Sequence, residues 1–209
     1  MQEVKKIVVI GPESTGKSTL CQQLAAHYST TWCPEYAREY LLKNGMNYTY
    51  EDLLTIAKGQ LALESKYFNE VENRGTQIQK SNCKAEIANE DIQQEITNYK
   101  LQTSNLLFVD TDMYVMKVWC EYVFNKCHLF ILEKIVEQAC HLYLLCNVDL
   151  PWIKDELREY PDLESRQELH HIYKDILINQ HVPWIEVSGN YDLRLNTAVK
   201  AVDALLTSS

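Results

Sequence analysis

Five short apolar runs punctuate the chain, and between them lie longer segments with apolar residues every three or four positions. The runs fall at residues 6–10, 30–33, 106–109, 141–146 and 184–187. The first, third and fourth are almost continuously apolar, as strands covered on both faces are. Helical spacing recurs over 17–28, 35–43, 113–124, 129–138, 164–179 and 191–206, with Gly45 stopping the second of these. A further helix opens at Thr49, where Asp52 stands three residues on in a capping-box-like start. It continues through Leu53, Ile56, Ala57, Leu61 and Glu64. Strand and helix alternate, which predicts an α/β fold with a parallel sheet wrapped by helices.

One stretch breaks the pattern. Residues 69–104 are rich in Gln, Asn, Lys and Glu, with apolar positions thinly spaced at Ile78, Ile87, Ile92 and Ile96. They are too poor in apolar surface for a core of their own. The expectation is therefore one domain over 1–209 with an insertion at 69–104, either a helical extension or an excursion. Lysine and arginine number 20 against 29 acids, a formal charge of −9. That balance argues against a protein that coats nucleic acid, but it leaves room for a small anionic ligand. No apolar run approaches the ~20 residues of a membrane helix, and residues 7–10 are too short a run for a secretory leader. A cytoplasmic protein without a membrane partner is expected. The seven cysteines are odd in number and form no CxxC pair, so buried free thiols are expected.

The chemistry concentrates in four places. Gly11-Pro12-Glu13-Ser14-Thr15-Gly16-Lys17-Ser18 follows the first apolar run and opens a helix. This is the G-x-x-x-x-G-K-[ST] phosphate loop in the context it requires. Its backbone N–H groups and the helix N-terminus would cradle phosphates, with Lys17 on the β- and γ-phosphates and Ser18 on Mg²⁺. The run 106–109 ends in Asp110, a second candidate for Mg²⁺. Asp112 either caps the helix that starts at Met113 or faces an acceptor. At the end of the second strand, Glu35 and Arg38 lie where an acceptor would enter beyond the carboxyl ends of the strands. There Glu35 could take a proton from an attacking hydroxyl, or it could merely complement a helix dipole. After the fourth strand comes Pro151-Trp152-Ile153-Lys154-Asp155-Glu156-Leu157-Arg158, then Arg166. The stretch 151–170 reads as a lid whose arginines close over ATP, or as an ordinary solvated helix with ion pairs.

Taken together, IVVIGPESTGKSTL, PEYAREYL, TYEDLLTIAKGQLALE, LLFVDTD with VWCEY, and the PW…R segment resemble the ribosylnicotinamide kinase domain of the NadR family. The likeness runs in order from Lys6 to about Leu205, apart from 69–104. It implies a P-loop kinase fold of the nucleotide- and nucleoside-kinase type, with a five-stranded parallel sheet. It also implies ATP- and Mg²⁺-dependent phosphorylation of the 5′-hydroxyl of nicotinamide riboside, yielding the mononucleotide used in NAD salvage. Carried over by residue, the loop from Gly11 to Thr19 would hold ATP, Asp110 would serve Mg²⁺ and Glu35 would be the base. Arg158 and Arg166 would belong to the lid. Gly189 would flank the adenine, with Arg194 nearby, and Tyr36, Trp119, Tyr122 and Trp152 are candidates to stack on a pyridinium ring. The sequence departs from the family at Glu156, where the family lid carries glycine. A kinase for another nucleoside, and an ATP-hydrolysing switch without a small acceptor, are the competing expectations.

Overall fold

A computed structural model describes residues 3–82 and 105–207. Five parallel strands form one sheet: β1 (Lys5–Ile10), β2 (Thr31–Cys33), β3 (Leu106–Asp110), β4 (Leu142–Cys146) and β5 (Trp184–Val187). Among the described residues seven helices accompany them: α1 (Lys17–His27), α2 (Tyr36–Asn44), α3 (Tyr50–Asn82), α4 (Met113–Phe124), α5 (Leu129–Glu137), α6 (Leu163–Ile178) and α7 (Tyr191–Thr207). Each coincides with an expected segment to within a residue or two, except α3, which runs well past Glu64 into the polar stretch. The remainder of that stretch, 83–104, and with it Cys83, lies outside the described residues. Within the stretch, Val71 is fully buried with Val4 against the sheet.

The strand order is β2-β3-β1-β4-β5. From β1 the chain moves to one edge and fills in β3, then crosses back to build β4 and β5. The carboxyl ends of β1 and β3 therefore lie side by side where the winding changes direction, which is where ligands bind in open α/β sheets. The register sets these ends level: Val9 pairs with Asp110 and Cys33 with Val109.

Side chains alternate between the two faces, as the pleat dictates. Ile7, Val9, Phe108 and Leu144 pack under α1 and α7, with Leu20, Leu24, Ala198 and Val202. Val8, Leu107, Val109, Tyr143 and Leu145 pack on the other face with Val115, Val118, Leu169 and Leu177. This two-sided cover explains the unbroken apolar runs of β1, β3 and β4. A third cluster, with Ala37, Leu53, Ile56, Met116 and Ile131, joins α2, α3, α4 and α5 beside the sheet edge. Six cysteines among the described residues are free thiols, four of them buried. Among the described residues no helix is long and apolar enough to cross a membrane.

Candidate active site

The turn after β1 curls tightly. Gly11 and Gly16 both take positive φ, 142° and 79°, conformations that side chains resist. Thr15 Oγ1 donates to Pro12 O at 2.7 Å and Lys17 Nζ donates to the same carbonyl at 2.9 Å. The loop thus closes on itself just ahead of α1, whose first-turn N–H groups have no side-chain cap. Free N–H groups at a helix N-terminus beside a lysine form a site for phosphate oxygens.

Behind the loop, the end of β3 supplies Asp110, 1% exposed. Its Oδ2 accepts from Ser18 Oγ at 2.5 Å, while Oδ1 is buried without a hydrogen-bond partner. Burial pushes this carboxyl up from its ordinary value, against the pull of Lys17 and the Ser18 hydroxyl. A hydroxyl and a carboxylate with one oxygen to spare are hard donors of the kind Mg²⁺ takes, so the residues present fit that ion.

Glu35 precedes α2 at the end of β2. It has extended backbone, and its side chain makes no capping bond, so the helix start does not use its carboxylate. Burial first, then the charge of Asp110, pushes the Glu35 carboxyl up to about 7, while Lys17 draws it down. Lys17, Asp110, Glu13 and Arg38 all weigh on its ionisation, which places Glu35 in the same electrostatic pocket as the phosphate loop. A carboxylate with its ionisation near neutral pH is suited to proton transfer.

The segment after β4 folds back onto the loop. Glu13 Oε2 accepts from Glu159 N at 2.9 Å and from Tyr160 N at 3.2 Å. Ser14 Oγ accepts from Ile153 N at 3.0 Å and from Arg158 Nη1 at 3.3 Å. The variable positions of the phosphate loop therefore hold residues 153–160 in place. Beyond the end of β2, Arg38 pairs with Asp155 at 3.0 Å, and Tyr48 Oη donates to Glu159 Oε2 at 2.8 Å. Arg158 and Arg166 both lie over the Trp152 ring, 5.7 and 5.3 Å from its centroid. Arg166 is 5% exposed, and its Nε and one terminal nitrogen are buried without a hydrogen-bond partner. A buried guanidinium with spare donors calls for an anion.

Arg194 is 2% exposed and braces the site from behind. It donates to Gly189 O at 2.8 Å, Thr15 O at 2.9 Å and Asn147 O at 2.8 Å, and it pairs with Asp149. Gly189 N in turn donates to Asp149 Oδ2 at 2.5 Å, which ties the turn after β5 to the loop.

Some expected residues are committed elsewhere. Asp112 caps α4: its Oδ1 accepts from Tyr114 N at 2.9 Å, and its Oδ2 from Tyr143 Oη at 2.8 Å and Gln138 Nε2 at 3.1 Å. Tyr122 packs on Tyr160, ring centroids 5.3 Å apart, and donates to Glu168 Oε2. Trp119 donates Nε1 to Tyr48 Oη at 2.9 Å. Tyr36 opens α2 directly after Glu35, and Glu156 is exposed. A separate surface cavity of about 670 Å³ between α4 and α6, lined by Lys117, Glu164, Glu168, His171 and Asp175, contains no phosphate-loop residue. Sequence reading missed Tyr48, Asp155 and Glu159, whose partners are 111, 117 and 146 residues away in the chain. Gln60 was missed as well, although it sits within the quoted block TYEDLLTIAKGQLALE.

A family model described as AAA domain matches residues 6–194. The chain is 23% identical over 205 residues to the trifunctional NAD biosynthesis/regulator protein NadR of Escherichia coli (strain K12). It is 24% identical over 211 residues to the protein of the same description from Salmonella typhimurium (strain LT2). Both alignments take in 97% of this chain but only 43% of the relative, so the chain spans less than half the length of either. Among solved structures, a NadR protein in complex with NR superposes with a TM-score of 0.67 at 21% identity, over 97% of this chain and 50% of that one. A NadR protein in complex with NAD and AMP-PNP gives 0.62 at 20% identity, over 97% and 49%. Thymidylate kinase from Ehrlichia chaffeensis gives 0.56 at 13% identity, over 97% and 100%. At these identities the structural likeness establishes the fold.

Proposed function

The chain belongs to the AAA domain family, and from that premise and the site geometry we propose that it transfers the γ-phosphoryl group of ATP to the 5′-hydroxyl of nicotinamide riboside. One observation carries the reading. Lys17, the Ser18–Asp110 pair and Glu35, a carboxylate raised toward neutral pH, meet at the carboxyl edge of the sheet. A phosphate site that only bound nucleotide would have no need of the last of these. The relatives supply the acceptor class, since those aligned along nearly this whole chain are NAD biosynthesis proteins and one related structure holds NR.

In the reaction the 5′-oxygen forms a bond to the γ-phosphorus as the bond to the β-phosphate bridging oxygen breaks, leaving ADP. Glu35 orients the attacking hydroxyl and takes its proton. Lys17 and the loop N–H groups hold the phosphate tail, and Arg158 and Arg166 face the charge that spreads over the transferring group. Ser18 and Asp110 would hold Mg²⁺, which when bound neutralises phosphate charge. Residues 151–170 serve as the lid that keeps water from the phosphates, tethered by Glu13, Ser14 and Arg38. Gly189 flanks the adenine. Tyr36, Trp119 and Trp152 are the aromatic faces available to a pyridinium ring, a pairing that favours a cationic base.

The test is a panel of nicotinamide riboside, the common nucleosides and nucleoside monophosphates, each incubated with Mg-ATP and followed by ADP release and product mass. The expected result is the mononucleotide from nicotinamide riboside in preference to the rest. ADP release at the same rate with no acceptor would replace the kinase reading with an ATP-hydrolysing switch.

A further inference from the structure

Gln60 lies on α3, and among polar side chains it is unusually deep, 1% exposed. A buried amide is held there by what it bonds, and Gln60 bonds backbone in both turns that carry the acids of the site. Its Oε1 accepts from Tyr36 N at 2.7 Å, the first N–H after Glu35. Its Nε2 donates to Thr111 O at 3.3 Å, the residue after Asp110, and reaches Pro34 O at 3.5 Å. One side chain thus grips the chain on either side of Glu35 and directly behind Asp110.

Both turns need such a grip. β2 is a three-residue edge strand whose ladder ends at the Cys33–Val109 pair, so the sheet does not fix residues 34–36. Thr111 holds φ at 78°, and its Oγ1 is buried without a partner. A β-branched residue keeps such a backbone only where its surroundings impose it. The neighbouring Gly59 makes the contact possible, because a Cβ there would lie 2.0 Å from Tyr36 Cε1. Without one, the Tyr36 ring lies flush against α3 and its N–H meets the amide.

We propose that Gln60, seated by Gly59, is a positioning residue that sets the Glu35 carboxylate in register with Asp110 and the phosphate loop. The proposal rests on the reading of Glu35 as the base. An apolar side chain of equal length at position 60 would remove this shared anchor from both turns, leaving Thr111 N its bond to Val9 O on β1. Displacement of a reacting group by about 1 Å costs on the order of 100-fold in rate.

The experiment is a double-mutant cycle in the full chain, using Gln60→Met, Glu35→Gln and the double variant, with kcat and KM measured for ATP and for the acceptor that the wild type turns over. Gln60→Met is expected to lower kcat by about 10–100-fold while leaving KM for ATP nearly unchanged. In the Glu35→Gln background the same change should cost less than about three-fold, because its effect runs through a carboxylate already removed. Gly59→Ala, which keeps the amide but displaces Tyr36, should show the same non-additivity, and it carries the test if Gln60→Met does not fold. Additive losses in both cycles, or a rise in KM for ATP that accounts for the whole effect, would overturn the role of Gln60. A wild type that turns over no acceptor would instead overturn the kinase reading, so the two failures are separable.

Discussion

Replacing Glu35 with glutamine should make the protein more stable and a poorer catalyst, and the gain in stability should depend on pH. The carboxyl has an ordinary value of 4.5 and stands at about 7 in the fold. A raised carboxyl means the native state holds a proton that the unfolded chain has released, so stability falls as pH climbs between these two values. Below the window the group is neutral in both states and costs nothing. Above it the full penalty applies, that of keeping a charge buried and beside Asp110 and Glu13. Each pH unit corresponds to about 1.4 kcal/mol, giving a ceiling of about 3 kcal/mol. Glu35 retains some solvent contact, which brings the expectation to about 1–2 kcal/mol. For a chain of this size that is a rise in Tm of about 2–8 °C.

The assay is thermal denaturation of wild type and Glu35→Gln at pH 5 and pH 8, paired with turnover at pH 8. The gain should be full at pH 8 and reduced to about a quarter of that at pH 5, with kcat reduced by about 10²–10⁴-fold. An equal gain at both pH values would show that neither burial nor the charged neighbours penalise the ionised carboxylate. A wild-type rate would remove Glu35 from the chemistry altogether.

Three further outcomes follow from named contacts. Arg194→Met strips the bonds to Gly189, Thr15 and Asn147 and leaves Asp149 its bond from Gly189 N; urea unfolding should register a loss of about 3 kcal/mol from the carbonyls left without their donor, and a loss below about 1 kcal/mol would refute the brace. Glu13→Ala removes the acceptor for Glu159 N and Tyr160 N. Limited proteolysis within 151–160 should then speed up about ten-fold, the worth of one charge-assisted bond, whereas unchanged cleavage would mean that the carboxylate does not tether the segment. Arg166→Met removes a buried charge that has spare donors, so stability should hold or rise while kcat falls about 100-fold or more; parallel loss of both would make Arg166 a structural residue.

The tethering of residues 153–160 by the phosphate loop gives a physical role to the loop positions that the phosphate-binding pattern leaves free. Glu13 and Ser14 bond the segment that bears Arg158. Any motion of that segment has to release the Glu13 carboxylate, which burial already holds above its ordinary value.

What the sequence determined by itself was local. Helices appeared because their period of 3.6 is written in neighbouring residues, and strands because short, nearly unbroken apolar runs are too. The phosphate loop was legible because glycine, lysine and serine act there through backbone geometry that eight consecutive residues specify. The acid at the end of each of β2 and β3 was visible too, but only as an acid at a strand end. The tertiary structure decided what each one faces. It spent Asp112 on capping α4, turned Arg38 toward Asp155 and brought Glu35 within the field of Asp110. It also revealed Gln60, Tyr48, Glu159 and Arg194 as residues that join distant turns. Their bonds to distant turns span from 24 residues, between Gln60 and Tyr36, to 179, between Arg194 and Thr15. A buried amide or guanidinium carries no periodic signature, and its partners are fixed only when the order β2-β3-β1-β4-β5 brings their backbones together.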